Sequence, residues 1–300
     1  MNVVKSNVYQ RNPESGVSNE YHTPELSFRQ PCLHYIAAVR NSGKSYLASK
    51  ILAQAKKDKT FDIIYIITPS FSSNKAYFGK YIDEQHVFEP TSDSVVKVIQ
   101  KVEEDRDEWE QFLKDKKEYE KYMREMKGNP GDVISDDNLM YYWVRGFLDG
   151  KKPKWKYEKE EPPKSCLIMD DILSSPAILQ SSGLTRLATL NRHIAPLKEE
   201  SHGRSSCGLA VIILSQSYRM QSGISRVLRE NLSLLTLFAN KQEKQIQAIK
   251  EELGSIEETE FDIAYNMATT ERYGNLTIDF NPKKPEYKFR KNLNEFLVAK

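Results

Sequence analysis

The sequence predicts an α/β protein in which a mostly parallel central sheet is covered by helices on both faces. Three observations carry that expectation. The apolar run at 32–39 (CLHYIAAV) leads through a glycine-containing turn into a stretch of helical composition. A second run at 62–69 (DIIYIITP) is almost continuously β-branched and is closed by Pro69. Two more apolar runs, 165–171 (SCLIMDD) and 209–216 (LAVIILSQ), follow after helical patterns. Strands that are apolar throughout, rather than alternating, suit a parallel sheet buried on both faces. The strand, turn, helix, strand order is that of a βαβ unit.

In chain order, residues 1–28 are polar, contain Pro13, Gly16 and Pro24, and read as an extended or disordered N-terminal arm. The core domain is expected over 29–280. Residues 45–55 place apolar side chains at 47, 51, 52 and 55 and predict a helix. From about 92 to 126 a charged helix is expected, broken by Gly128-Asn129-Pro130-Gly131 and followed by a polar loop at 150–164. The whole of 92–164 reads as an insertion between core strands whose lysines and glutamates form a solvated face. A helical stretch at 177–192, a polar loop at 198–206, a strand at 232–238, an amphipathic helix at 241–253 and an edge strand at 277–280 complete the domain. Residues 281–300 read as a basic C-terminal tail.

Composition excludes little. The 300 residues are 39% hydrophobic and 29% charged, with a formal net charge of +2, so no whole-chain field announces a nucleic-acid partner. No apolar run is long enough to cross a bilayer, and the first residues lack a secretory leader pattern. Cys32, Cys166 and Cys207 have no metal-ligand spacing, and buried thiols in a reducing compartment are the expectation. The histidines form no cluster, so no metal is assigned to them. The tyrosines are read as interior and interface residues rather than a stacking platform.

The turn after the first strand reads Ala38-Val39-Arg40-Asn41-Ser42-Gly43-Lys44-Ser45, against the phosphate-loop pattern G-x-x-x-x-G-K-[ST]. Ala38 replaces the first glycine, which is tolerable if its φ stays below zero. Backbone N–H groups from Arg40, Asn41, Ser42, Gly43, Lys44 and Ser45 would curl around phosphate oxygens. Lys44 would place its charge on the β- and γ-phosphates of ATP, Ser45 its hydroxyl on Mg2+, and the helix its positive end on the same phosphates. Together with the strand order, this predicts a P-loop NTPase three-layer sandwich of the RecA/FtsK-like kind.

Hydrolysis also needs acids. A carboxylate ending a strand next to the P-loop strand would hold Mg2+, and a second would orient the attacking water. Asp170 and Asp171 fit those roles in that order. A strand ending Asp-Asp can equally be leaving the core into a turn or a helix cap. Gln216 ends the strand over 209–216, where its amide could meet the γ-phosphate or the water. Arg186, Arg192, Arg204, Arg219, Arg226 and Arg229 crowd the segments around these strands. Arg186, Arg192, Arg219, Arg226 and Arg229 are the candidates to reach a neighbouring subunit's nucleotide.

The succession of the 40–45 turn, Tyr65-Ile66-Ile67-Thr68-Pro69-Ser70, Leu167-Ile168-Met169-Asp170-Asp171, Asn191-Arg192-His193, Ser215-Gln216-Ser217-Tyr218 and Arg229-Glu230-Asn231 resembles the poxvirus-type genome-packaging ATPases of large DNA viruses and virophages, within the FtsK–HerA superfamily. The resemblance covers about residues 30–240. It implies Lys44, Asp171 and Gln216 as catalytic residues and Ser45 and Asp170 as the Mg2+ pair. It further implies a homo-oligomeric ring that drives double-stranded DNA into a capsid, with capsid proteins as partners. The protein would work in the virion or the host cytoplasm (viral factory), neither secreted nor in a membrane. Basic groups at 198–204 and 283–291 are the candidate DNA contacts. The alternatives are a HerA-like helicase or conjugation-type motor, and a P-loop small-molecule kinase with 92–164 as its lid.

Overall fold

A computed structural model describes residues 2–5, 19–21, 23–127, 134–172, 175–218, 225–240, 243–253 and 256–298. The helix breaker at 128–131, Arg219 and residues 6–18 of the N-terminal arm lie outside the described residues.

The chain opens with β1 (Asn2–Lys5), β2 (Leu33–Ala37), α1 (Lys44–Asp58), β3 (Ile63–Ile67), α2 (Phe71–Phe78) and β4 (Val87–Phe88). It continues through α3 (Ser94–Met126), α4 (Asp136–Val144), β5 (Ser165–Asp170), α5 (Pro176–Leu179), α6 (Ser182–Leu190), β6 (Pro196–Ser201) and β7 (Arg204–Ser206). Then follow β8 (Leu209–Ser215), α7 (Arg226–Glu230), β9 (Leu234–Phe238), α8 (Glu243–Glu252), α9 (Glu258–Thr269), β10 (Asn275–Asp279), β11 (Phe289–Lys291) and β12 (Glu295–Val298).

Among the described residues one sheet has ten strands in the order β1-β12-β11-β10-β9-β2-β8-β5-β3-β4. From β9 to β4 every pairing is parallel, and from β9 to β1 every pairing is antiparallel. Period-two alternation sorts the apolar side chains of the parallel strands into two cores. Ile36, Ile66, Cys166, Ile168, Ala210, Ile212 and Leu214 face α1 and α2, packing on Leu47, Ala48, Leu52 and Phe78. Tyr35, Tyr65, Leu167, Met169, Val211 and Ile213 face the other way, toward α3, α6, α8 and α9. The result is the expected three-layer α/β/α sandwich. Each fully buried Leu or Ile in these layers contributes roughly 1.5–3 kcal/mol of transfer free energy.

Helix α1 shows how local sequence sets an element. Leu47, Ala48, Leu52 and Ala55 fall on its buried face. Lys56 and Lys57 sit in its last turn, where the helix dipole favours cations, and Lys59 closes the end in the left-handed conformation.

Several expectations are corrected. Residues 277–280 were expected at an edge, but β10 lies inside the sheet between β9 and β11, and all five of its residues are buried. Residues 281–300 supply β11 and β12, burying Phe289, Phe296 and Leu297, rather than a loose basic tail. The start of the N-terminal arm is β1, paired antiparallel with β12, and Tyr21 is buried with its hydroxyl donating to the Gly208 carbonyl at 3.1 Å. The loop expected at 198–206 is the β6–β7 hairpin, laid against α3. The stretch 92–164 divides in two. Val95, Val98, Ile99 and Val102 at the start of α3 belong to the main core, whereas Tyr122, Tyr142 and Phe147 form a separate small core where α3 meets α4. Asp105, buried on α3, pairs with Lys156 of the following loop and so ties that loop down.

Candidate active site

The carboxyl ends of β2, β5 and β8 open on one edge of the sheet, where a parallel α/β sheet places ligands. Ala38 N–H donates to the Ser215 carbonyl at 3.0 Å, holding the loop's base to β8. Ala38 is not among the positive-φ residues, so its side chain is accommodated without strain. The loop then turns twice through the left-handed region, at Asn41 (φ 63°) and Gly43 (φ 92°). A Cβ at Gly43 would meet only ordinary contacts, the closest being Tyr273 at 3.5 Å, so backbone conformation rather than space calls for glycine there. The Ser42 hydroxyl donates to the Val39 carbonyl at 2.7 Å and closes the turn. Gly43 caps α1, leaving Lys44 and Ser45 as its first two residues. Arg40 and Asn41 are exposed on the loop.

Lys44 Nζ lies 3.0 Å from Asp171 Oδ1 and 3.7 Å from Asp170 Oδ1. Adjacent strand residues ordinarily point to opposite faces. Asp171 has left β5 with φ 52°, and that left-handed step turns the chain so that both carboxylates reach one ammonium. Gln216 Nε2 donates to Asp171 Oδ1 at 3.4 Å, a long hydrogen bond. The acid strand was expected next to the P-loop strand but is one strand removed from it; β8 lies between β2 and β5. That insertion is what sets Gln216 between the loop and the acids.

Asp170 is 1% exposed, and burial pushes its carboxyl above the usual range, against the pull of Lys44. Its Oδ2 accepts from Asn74 Nδ2 of α2 at 2.8 Å, while Oδ1 is buried without a hydrogen-bond partner. A buried carboxylate oxygen left in this way fits a divalent cation whose remaining positions are water, a hydroxyl and phosphate, the ligand set Mg2+ favours. Ser45 and Asp170 are the residues that would hold it. Among the described residues no group of three His, Cys, Asp or Glu gathers into an all-protein cage.

Sequence reasoning missed two supports, Asn74 and Tyr35. Asn74 gave no signal, because an asparagine on a short polar helix is ordinary until α2 is packed beside β5. The segment after β8 acquires a physical meaning: Ser215 Oγ (2.8 Å) and Tyr35 Oη (2.5 Å) both donate to the Ser217 carbonyl. Tyr218 packs edge-on to Tyr35 with centroids 5.9 Å apart. Ser215, Ser217 and Tyr218 thereby pin the turn that presents Gln216.

The four candidate arginines among the described residues are already engaged. Arg186 pairs with Glu103, Arg226 with Glu230 and Arg229 with Glu252, while Arg192 donates to Ser233 Oγ. Of the suggested DNA contacts, Arg204 is buried and donates to the carbonyls of Pro162 and Cys207. Arg290 is buried beside Asp279, and Lys284, Lys288 and Lys291 pair with Glu25, Glu260 and Glu271. These side chains hold tertiary structure rather than present a free basic face.

Among solved structures, the chain is similar to the genome packaging NTPase B204 from Sulfolobus turreted icosahedral virus 2 in complex with ATP-gammaS. The identity is 16% and the TM-score 0.41, over 87% of this chain and 96% of that one. It is similar to B204, the DNA-packaging ATPase from Sulfolobus turreted icosahedral virus, at 14% identity and TM-score 0.42, over 87% and 96%. It is also similar to the cytoplasmic domain of the type VII secretion ATPase EccC from Thermomonospora curvata, at 13% identity and TM-score 0.40, over 89% of this chain and 25% of that one. No protein-family model and no curated protein sequence matches the chain.

Proposed function

We propose that the chain is an ATPase in which Lys44, Asp170, Asp171 and Gln216 form the hydrolytic site. The observation that carries this is the convergence of one lysine on two adjacent carboxylates at the mouth of a phosphate loop, with an amide beside them. Phosphates entering the loop compete with Asp170 and Asp171 for Lys44, because the lysine cannot satisfy both sets of anions at these distances. Asp171, displaced from Lys44, is then placed to take a proton from water. The water oxygen bonds to the γ-phosphorus as the bond to the bridging oxygen breaks, and ADP leaves. Gln216 orients that water. Bound Mg2+, held by Ser45 and Asp170, would neutralise charge on the phosphate oxygens.

The mechanical role proposed for this hydrolysis is translocation of double-stranded DNA by a homo-oligomeric ring, packaging a viral genome into a capsid, in the virion or the host cytoplasm. Support for that cargo comes from the sequence resemblance, above all Ser215-Gln216-Ser217-Tyr218 on the strand beside the loop. Contact with DNA phosphates rather than bases would make binding salt-dependent and sequence-tolerant. The test is phosphate release with and without duplex DNA for the wild type, Lys44→Ala and Asp171→Asn. DNA-stimulated release that both substitutions abolish is the expected result. Stimulated release surviving both would overturn the site, and a strict monomer in the presence of nucleotide and DNA would overturn the motor.

A further inference from the structure

The proposed site accounts for phosphates, acids and water but leaves the rest of the nucleotide without a place. Lys44, Asp170, Asp171 and Gln216 fix where the γ-phosphate must face: toward β8 and β5. The sheet order puts β9 and β10 on the opposite side of β2. A nucleotide lying across the loop with its γ-phosphate toward the acids must therefore extend its base toward β9 and β10. On that side, and opening at Gly43 itself, runs a groove of about 640 Å³ between the face of α1 and the sheet's antiparallel extension. That volume falls within the usual range for small-molecule sites.

We infer that this groove takes the nucleobase of the triphosphate and that Tyr273 is the aromatic surface against which the base lies, an inference that rests on the ATPase reading above. Tyr273 stands at the groove's mouth with its ring beside Gly43, and it is 52% exposed. Its backbone is held at φ 68°, a left-handed conformation that a bulky residue rarely adopts and that surrounding structure must enforce. The enforcement is visible. The next residue, Gly274, packs so tightly against the end of α9 that an added Cβ would lie 2.4 Å from the Ala268 carbonyl oxygen. Arg272 lies with its guanidinium 4.9 Å from the Tyr273 ring centroid, limiting the ring's freedom. Tyr46, in the first turn of α1, is a second exposed ring on the wall.

Asn275 adds an independent observation. It is 3% exposed, lines the groove, and holds Tyr273 by donating Nδ2 to its carbonyl at 3.3 Å. Its Oδ1 is buried without a protein partner. An orphaned acceptor, a strained aromatic and a cavity thus coincide on the one side of the loop where a base can go. The tyrosines, read from sequence as interior or interface residues, include here two that are not interior.

The experiment separates base from phosphate by comparing ATP with inorganic tripolyphosphate, each titrated calorimetrically into the full chain with Mg2+. Base–aromatic stacking predicts that Tyr273→Ala weakens ATP binding about tenfold while leaving tripolyphosphate binding unchanged. Tyr273→Phe, which keeps the ring, should bind ATP as the wild type does. Tyr273→Ala binding ATP with wild-type affinity overturns the inference. So does an equal loss for both ligands, since that would mean a displaced loop. If Lys44→Ala leaves both ligands bound as in the wild type, the phosphate site itself is misplaced, a failure distinct from that of the base groove.

Discussion

The parallel and antiparallel halves of the sheet are built by different rules. From β9 to β4, strands are apolar on both faces, and helices cover both sides. Their carboxyl ends carry Lys44's loop, Asp170 and Gln216. From β10 to β1, strands of three to five residues meet antiparallel, and they bring together the two ends of the chain. The first half gathers the groups proposed to act on phosphate. The second supplies a wall, and with Tyr273 and Asn275 a place for what the phosphate is attached to. A phosphate loop can be written in eight consecutive residues, whereas the wall beside it needs segments separated by most of the chain.

The largest effects should come from the parallel half. Asp171→Asn is expected to lower turnover by about 10²–10³ while nucleotide remains bound, measured as phosphate release against calorimetric affinity. Turnover within a few fold of wild type would remove Asp171 from the role of base. Gln216→Ala, which removes a group orienting water rather than the base itself, should cost about tenfold in the same assay. An effect as large as that of Asp171→Asn would promote Gln216 to an equal part in the chemistry.

The seam between the halves makes a prediction about pH. His34 of β2 is 1% exposed and hydrogen-bonds Thr236 of β9 at 2.7 Å, and Thr236 in turn meets Thr277 of β10 at 2.7 Å. Burial lowers the His34 pKa from 6.5 to about 3. Over that interval the unfolded chain binds a proton that the folded chain refuses, so stability falls as pH falls from 6.5 toward 3. The full effect is about 5 kcal/mol at most. His34→Gln should flatten the acid limb of a melting-temperature profile; an unchanged slope would show that the seam does not limit acid stability.

The smallest effect belongs to the sheet's far edge. Removing residues 1–5 deletes β1 and its pairing with β12, and should lower the melting temperature by about 2 °C with nucleotide affinity unchanged. A change in affinity would mean that the antiparallel half transmits strain to the loop.

How much of this was legible in the sequence follows the same division. The runs that became β2, β3, β5, β8 and β9 could be read because a strand buried on both faces must be apolar at every position. Strands β11 and β12 were read as a basic tail because Lys283, Lys284, Lys288, Arg290 and Lys291 dominate the composition of 281–291. Their carboxylate, hydroxyl and carbonyl partners (Thr23, Glu25, Glu260, Glu271, Asp279) are remote in sequence or on other elements. Helix α3 was read as an insertion because its charged outer face outweighs Val95, Val98, Ile99 and Val102, which pack on the main core.

The sequence by itself determined the phosphate loop, the acidic end of β5, Gln216 and the α/β class. Each of these is local: a turn needs its own glycine, and a buried strand its own apolar residues. Tertiary structure decided what those residues do together. It placed β8 between loop and acids, turned Asp171 through a left-handed step to Lys44, left one oxygen of Asp170 without a hydrogen-bond partner, and set Tyr273 beside Gly43. Each of those outcomes depends on which distant segments pair and pack, and a run of neighbouring residues carries no record of that. The loop could be read because its chemistry is contiguous, and the groove beside it could not because its walls meet only in the folded chain.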